Sequence, residues 1–304
     1  MPGLAKNRLV DPILTNVAIG YKNAEYIGDQ LLPIATVDKE AGKIPKWGTE
    51  AFRIYNTRRQ IRSKSNRVEY DATMVSYALE EETLEAPIDD RELEEASEVL
   101  RLEMARTKML TDNIQLKMEK DRADKVQNAS NYSASHVETL SGSDKLSDPA
   151  SKPLEIIGDA KATIRGSIGL YPNVMQLGAT VYEKLKEHPA VIEKIKYSQK
   201  GIVTADLLAE IFDVKKVIVG KAVYADRQGE LNDIWGNSMT LAYVPEGPGD
   251  IWVPAFGYTM RKKGRPQTSK YRDETIKSNV IHVADVYGVE LTSKDAGFLI
   301  QSAI

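Results

Sequence analysis

Residues 88–128 read IDDRELEEASEVLRLEMARTKMLTDNIQLKMEKDRADKVQN, about 40 residues with no Gly and no Pro after Pro87. Asp89 is a good helix N-cap, and Glu92 three residues on completes a capping box. Asp90, Glu92, Glu94 and Glu95 fill the first turns, and Lys117, Lys120, Arg122 and Lys125 the last, the order that the helix macrodipole favours. Leu93, Ala96, Leu100, Met104, Leu110, Ile114 and Met118 form an apolar stripe in steps of three and four, with a gap near Thr107. The spacing predicts one helix from about 87 to 128, roughly 60 Å long, against ~11–12 residues for an ordinary globular helix. Such a helix either spans an extended subunit or belongs to a coiled coil, so its surroundings decide the fold.

Upstream, residues 1–50 are interrupted by Pro2, Pro12, Pro33 and Pro45, and only Asn16–Ala24 could form a short helix. About a third of this stretch is apolar, richer than true disorder, so it reads as an arm that packs on something else. Residues 51–86 predict a hairpin. Phe52–Tyr55 and Arg67–Leu79 are its strands, and TRRQIRSKSN is a basic tip near which Arg58, Arg59, Arg62, Lys64 and Arg67 gather. A two-stranded hairpin cannot stand alone. Glu80, Glu81, Glu82 and Glu85 follow as an acidic lead-in to the helix. Opposite charges so close in sequence suit pairing across subunits, while an ordinary solvated edge hairpin remains equally open at this point.

Downstream, 128–152 is a polar loop. A helix is expected at about 153–168 with Ile157, Ala160, Ile164 and Ile168 inside. A buried strand within GLYPNVMQLG follows, then a short helix stopped by Pro189. The next helix is capped by Thr204, and a strand is expected over 215–225. From Asp226 onward the pattern is mostly β: strands at 239–244 and 251–260 joined by PEGPGD, and a last long strand, SNVIHVADVYGVEL (278–291), apolar on both faces and therefore central. The whole is α+β.

Composition narrows function. With 42% hydrophobic and 28% charged residues the chain is globular, and its net charge of −3 makes it no general ligand for nucleic acid. It has no cysteine, which excludes disulfides and thiolate metal sites, and no apolar run of the ~18 residues that a membrane helix needs. His136, His188 and His282 are isolated in sequence and lack metal-ligand spacing. No phosphate loop, nucleophile elbow or dinucleotide fingerprint is present. Asp89 and Asp90 form a helix cap rather than a carboxylate pair. Arg261, Lys262, Lys263 and Arg265, with Tyr258 and Tyr271 nearby for stacking, are the best nucleic-acid candidate, but an ion-pairing loop at a subunit contact is the better reading. No catalytic, cofactor or metal site is legible.

The order of parts resembles the major capsid protein of tailed bacteriophages, the Hong Kong ninety-seven type fold. APIDDRELEEA resembles the entrance to that family's spine helix, TLSGSDKLSDPASKPLE the loop after it, and the stretch from Pro172 to Asp226 the heart of its capsomer-centre domain. DIWG, FGYT, YRDE and DAGFLI are similar to other family landmarks. The resemblance implies an N-terminal arm (1–50), an extended hairpin loop (51–86) and a peripheral domain with the spine helix (87–153 plus about 251–277). It also implies an axial α/β domain (154–250 plus about 278–304). It implies self-assembly through pentamers and hexamers into an icosahedral head that encloses double-stranded DNA without sequence-specific binding, in the virion, after assembly in the host bacterial cytoplasm. The chain starts directly at the arm, so a separate scaffolding protein is implied, with a portal and decoration proteins as further partners and no membrane or cofactor. The basic tip, the four glutamates and the 261–265 stretch become subunit-interface candidates. An encapsulin-type bacterial nanocompartment shell and a coiled-coil interaction protein are the alternatives.

Overall fold

A computed structural model describes residues 9–11, 13–15, 18, 26–45, 54, 56–67, 74–95, 98–196, 203–245 and 255–304. The expected arm helix at 16–24, the hairpin strand at 52–55 and the first part of the strand at 251–260 fall largely or wholly outside them.

In chain order the elements are β1 (Leu9–Val10), α1 (Gly28–Leu31), β2 (Ile34–Val37), β3 (Ala41–Pro45), β4 (Met74–Ala78) and β5 (Glu80–Asp89). Two helices, α2 (Asp90–Glu95) and α3 (Val99–Gln127), precede β6 (Val137–Thr139), α4 (Pro153–Ile168) and β7 (Val174–Gly178). Then come α5 (Ala179–Glu187), α6 (Pro189–Ile195), α7 (Ala205–Phe212), β8 (Lys216–Gly220), β9 (Val223–Ala225) and β10 (Leu231–Asp233). The chain closes with β11 (Met239–Ala242), β12 (Gly257–Lys262), β13 (Gln267–Asp273), β14 (Ser278–Leu291) and β15 (Gly297–Gln301).

Two sheets carry the molecule. The first is built on β14, whose near-continuous burial matches its two apolar faces. β13 and β5 pair antiparallel with it on opposite edges, both along 278–284, while β12 pairs along 287–291 and holds β2 in parallel. The second sheet has the order β6-β15-β11-β7-β8 and is covered by helices. In α4 the expected residues Ile157, Ala160, Ile164 and Ile168 are the buried ones, and the helix ends at Gly169 with φ 70. The Thr204 hydroxyl caps α7 by accepting from Leu207 N at 3.3 Å. One apolar core runs from this sheet across to Tyr287 and Val289 of the first and to Phe256, just before β12.

The long helix is shorter than its sequence suggests. α3 has 29 residues, about 43 Å at 1.5 Å per residue. Residues 80–89, read as a lead-in and cap, are strand β5 instead, because ten consecutive residues find partners on β14. The capping signal forms only α2, where Asp89 Oδ1 accepts from Arg91 N, and Glu98 is extended at φ −143, ψ 93. Leu110 and Ile114 pack on Ala86 and Ile88 of β5 and Ile281 and Val283 of β14, and Met118, Ala123 and Val126 join the main core. The gap at Thr107 is filled by hydrogen bonds: its hydroxyl donates to Glu103 O, and that of Thr111 donates to Thr107 O. The helix therefore packs along its own subunit's sheet, and the coiled-coil reading falls.

Three further expectations change. The hairpin base is β3 with β4, Ala41 opposite Ala78 through Pro45 opposite Met74, so it starts before residue 51. The predicted strand at 215–225 is two strands, β8 and β9. β11 and β12 lie in different sheets rather than in one hairpin, the chain crossing between them at a bond from Phe256 N to Tyr243 O. Within the C-terminal part, β15 lies in the second sheet and β14 is the centre of the first.

Candidate assembly surfaces

The charged residues sort into those that the fold consumes and those that it holds out. The first kind gathers at a joint on the last turns of α3. Glu119 is fully buried, and its carboxylate accepts from Ile27 N (2.9 Å), Gly28 N (3.0 Å) and the Trp235 indole N–H (2.8 Å). One helix turn on, Arg122 pairs with Asp29 at 2.6 Å and donates through Nε to the Thr259 hydroxyl at 2.8 Å. That hydroxyl donates in turn to Leu32 O. A Cβ on Gly28 would sit 2.5 Å from Arg122 Cδ and Glu119 Oε2, so only glycine lets the backbone come this close. One patch of helix thus ties down the base of the arm, strand β12 and the tryptophan packed against Gly220 of β8. The sequence reading gave Arg122 only a place among the cations of the last turns and did not single out Glu119. Their partners stand 91 and 116 residues away in sequence; the one local signal was the four-residue spacing of Met118, Arg122 and Val126.

The second kind is the hairpin tip. Arg58, Arg59, Arg62, Lys64 and Arg67 are all exposed, and among the described residues no carboxylate pairs with them. The tip is shaped by its own polar groups: Asn56 Oδ1 accepts from Arg58 N, Arg59 Nε donates to Ser63 O, and Arg62 turns at φ 68. Ile54, just before these cations, and Ile61, among them, are 97% and 94% exposed, a large apolar cost for any isolated chain to carry.

The remaining candidates are mostly committed within the chain. Arg261 forms a two-pronged pair with Asp285, its Nε 2.9 and 3.0 Å from the two carboxylate oxygens, and Asp285 is 1% exposed. Lys262 pairs with Glu40, Arg265 with Glu81 at 3.6 Å, and the backbone N–H of Lys263 donates to Val37 O. Glu82 lies 3.7 Å from Lys117, and Glu85 accepts from the Tyr271 hydroxyl. Glu80 is exposed at the start of β5. The nucleic-acid reading of 261–265 is corrected: Tyr258, one of its two stacking candidates, is fully buried, and the other, Tyr271, is bonded to Glu85. A third surface is the outer face of the first turns of α3, where Val99 and Leu100 are 41% and 52% exposed beside Met104.

The histidines are structural. His136 sits between Gly297 O and the Ser167 hydroxyl, each at 2.9 Å. His188 caps α6, its Nδ1 accepting from Ala190 N. His282 faces the Ser269 hydroxyl. Among the described residues no cluster of three His, Asp or Glu is placed to hold a metal, and no helix is long and apolar enough to cross a membrane.

Two sheets bridged by one long helix, with a charged hairpin hung from the first sheet, define the shell-protein fold of tailed phages, the Hong Kong ninety-seven type. The sequence comparisons agree. The chain is 46% identical to the major capsid protein of Burkholderia phage BcepMu, over 99% of this chain and 98% of that one. It superposes on the crystal structure of a phage-related protein from Bordetella bronchiseptica RB50 with a TM-score of 0.84, at 32% identity over 97% and 98% of the two chains. The SrpI encapsulin of Synechococcus elongatus PCC 7942 also aligns, over 96% of this chain and 95% of its own, but at TM-score 0.55 and 10% identity it shares the fold alone. Residues 77–252 match the family model described as phage major capsid protein E, and the chain belongs to that family. It is a structural shell protein of the virion, not an enzyme.

Proposed function

We propose that copies of this chain assemble as pentamers and hexamers into the icosahedral head of a tailed phage that encloses double-stranded DNA. The observation that carries this reading is the hairpin tip. Its cations and two isoleucines stand in solvent with no carboxylate partner among the described residues of their own chain. Such a segment serves a subunit that must grip its neighbours.

In this reading the arm and hairpin lie on adjacent subunits. The first sheet with α3 is the peripheral part, and the second sheet with α4–α7 is the axial part around the fivefold and sixfold positions. Binding is spread over large repeated contacts rather than one pocket. The shell encloses DNA without gripping it: the net charge is −3, and Arg261, Lys262 and Arg265 are spent on carboxylates of their own chain. A separate scaffolding protein, a portal and decoration proteins complete the assembly, in the cytoplasm of the host bacterium. Electron microscopy of the purified protein tests the reading. Closed shells of pentamers and hexamers are expected; an elongated dimer or trimer by light scattering contradicts it.

A further inference from the structure

We propose that Glu119 and Arg122 form a two-position coupler, which passes the seating of the arm base to the second sheet through Trp235. The coupler is a property of the single subunit. Its use, an arm drawn by a neighbour, rests on the shell reading above.

In the seated position one carboxylate oxygen serves two parts of the molecule. Glu119 Oε1 accepts from Ile27 N at 2.9 Å and Gly28 N at 3.1 Å in the arm base, and from the Trp235 indole N–H at 2.8 Å. A donor lost on one side changes what that oxygen offers the other. The indole is set directly on the second sheet. A Cβ on Gly220 of β8 would stand 2.2 Å from its ring, and one on Gly178 of β7 would stand 1.8 Å from Gly236 O. Packing this tight transmits a displacement rather than absorbing it.

Arg122 supplies the second position. Its Nε donates to the Thr259 hydroxyl at 2.8 Å. The guanidinium beyond that bond lies between two carboxylates, with Nη2 2.6 Å from Asp29 Oδ1 and Nη1 3.8 Å from Glu119 Oε2. Nη2 is buried and close to Asp29, yet off the line of a hydrogen bond. When residues 27–29 lift from the helix, Glu119 loses two donors in a fully buried site. A buried charge left unpaired is costly. A small turn of Arg122 about its Thr259 bond closes the 3.8 Å gap to Glu119 and removes that cost. Drawn to Arg122, the carboxylate is a weaker acceptor for the indole. Leu31 and Leu32 are fully buried and keep the lift local. The two positions thus differ in the partner of Arg122 and in the hold on Trp235, and by linkage the coupling runs both ways.

The test uses the full chain, held dilute as single subunits. Trp47→Phe/Trp252→Phe leaves Trp235 as the one tryptophan. In that background Asp29→Asn releases Arg122 from the arm, and since the Asp29 side chain is 49% exposed the fold is kept. Trp235 emission is expected to shift, and the Ile27 and Gly28 amides to exchange with deuterium roughly tenfold faster or more, the size of a hydrogen bond to a charged group. The converse arm needs no such background: Trp235→Phe keeps a ring, removes the donor and speeds exchange at the same two amides. Glu119→Gln takes away the charge that draws Arg122, so in that chain Asp29→Asn no longer reaches Trp235. Arg122→Met, with no guanidinium to move, serves the same purpose should the Glu119→Gln chain not fold. Trp235 emission unmoved by Asp29→Asn, amides untouched by Trp235→Phe, or a shift that persists in the Glu119→Gln chain each overturns the proposal. None of these readings depends on particles, so a wild-type chain that forms no shells counts against the assembly reading alone.

Discussion

The joint at Glu119 and the tip of the hairpin hold the same kinds of residue and treat them in opposite ways. At the joint an acid and a base are buried, and each is met by the chain itself: two backbone N–H groups and an indole for Glu119, a carboxylate and a hydroxyl for Arg122. At the tip five cations are exposed and find no carboxylate among the described residues. Buried charge is tolerable only when it is paired and hydrogen-bonded, so the joint's charges belong to folding. Exposed charge contributes little to stability, so the tip's charges are held for something other than folding. The difference separates what makes the subunit from what makes the shell.

The sharpest way to break this contrast is Glu119→Ala. It leaves three buried donors without their acceptor and takes from Arg122 one of its two carboxylates, at 3.8 Å, and removing one member of a buried pair costs about 3–5 kcal/mol. Denaturant unfolding of the variant should show that loss, together with a changed Trp235 fluorescence. A stability within about 0.5 kcal/mol of wild type, the range of an ordinary surface change, would put the joint's charges in the same class as the tip's. Next comes Arg261→Ala, which orphans Asp285 at 1% exposure. Asp285 keeps the backbone N–H of Val286, so the expected cost is smaller, about 1–3 kcal/mol, read from the same unfolding curves.

Glu138 gives a smaller, pH-dependent effect. Burial first, then the neighbouring Asp159 and Asp144, push its carboxyl above 4.5. The folded chain holds a proton there that the unfolded chain has already released, so stability falls as pH rises from 4.5 through the raised value. Glu138→Gln removes that penalty. Its melting midpoint should exceed that of wild type at neutral pH, and the gap should close below pH 4.5. A gap that persists in acid would show that burial of the ionised form is not its cause. The smallest effect on folding is expected at the tip itself: Arg58→Ala/Arg59→Ala should leave unfolding within about 0.5 kcal/mol of wild type while lowering the yield of closed shells.

Much of this was legible in the sequence where a residue's environment is set by its near neighbours. The stripe of α4, the Thr204 cap and the two-faced apolar run of β14 are local patterns, and all three stand in the structure. The start of α3 was not legible, because Asp89 and Glu92 make a sound capping signal that tertiary pairing overrides: EEETLEAPID has poor strand propensity and is a strand only because β14 lies beside it. Strand β3, AGKIP, was missed for the same reason, since its partner β4 begins 29 residues after Pro45. The basic tip and the glutamates could be picked out by charge, but not which cations the fold would spend. Arg261 and Arg62 look alike in sequence, yet one is locked to Asp285 and the other is exposed at a turn. The joint was invisible, because Glu119 and Arg122 gain their partners only when the arm and Trp235 are brought to them.

The central claim is that the tip belongs to the shell and not to the subunit. Deleting Arg58–Asn66 and then following both thermal melting and particle formation by electron microscopy tests it most directly. The account predicts a chain that melts with the wild-type midpoint and no longer closes proper shells. Normal shells from the deleted chain, or a chain that no longer folds, would contradict it.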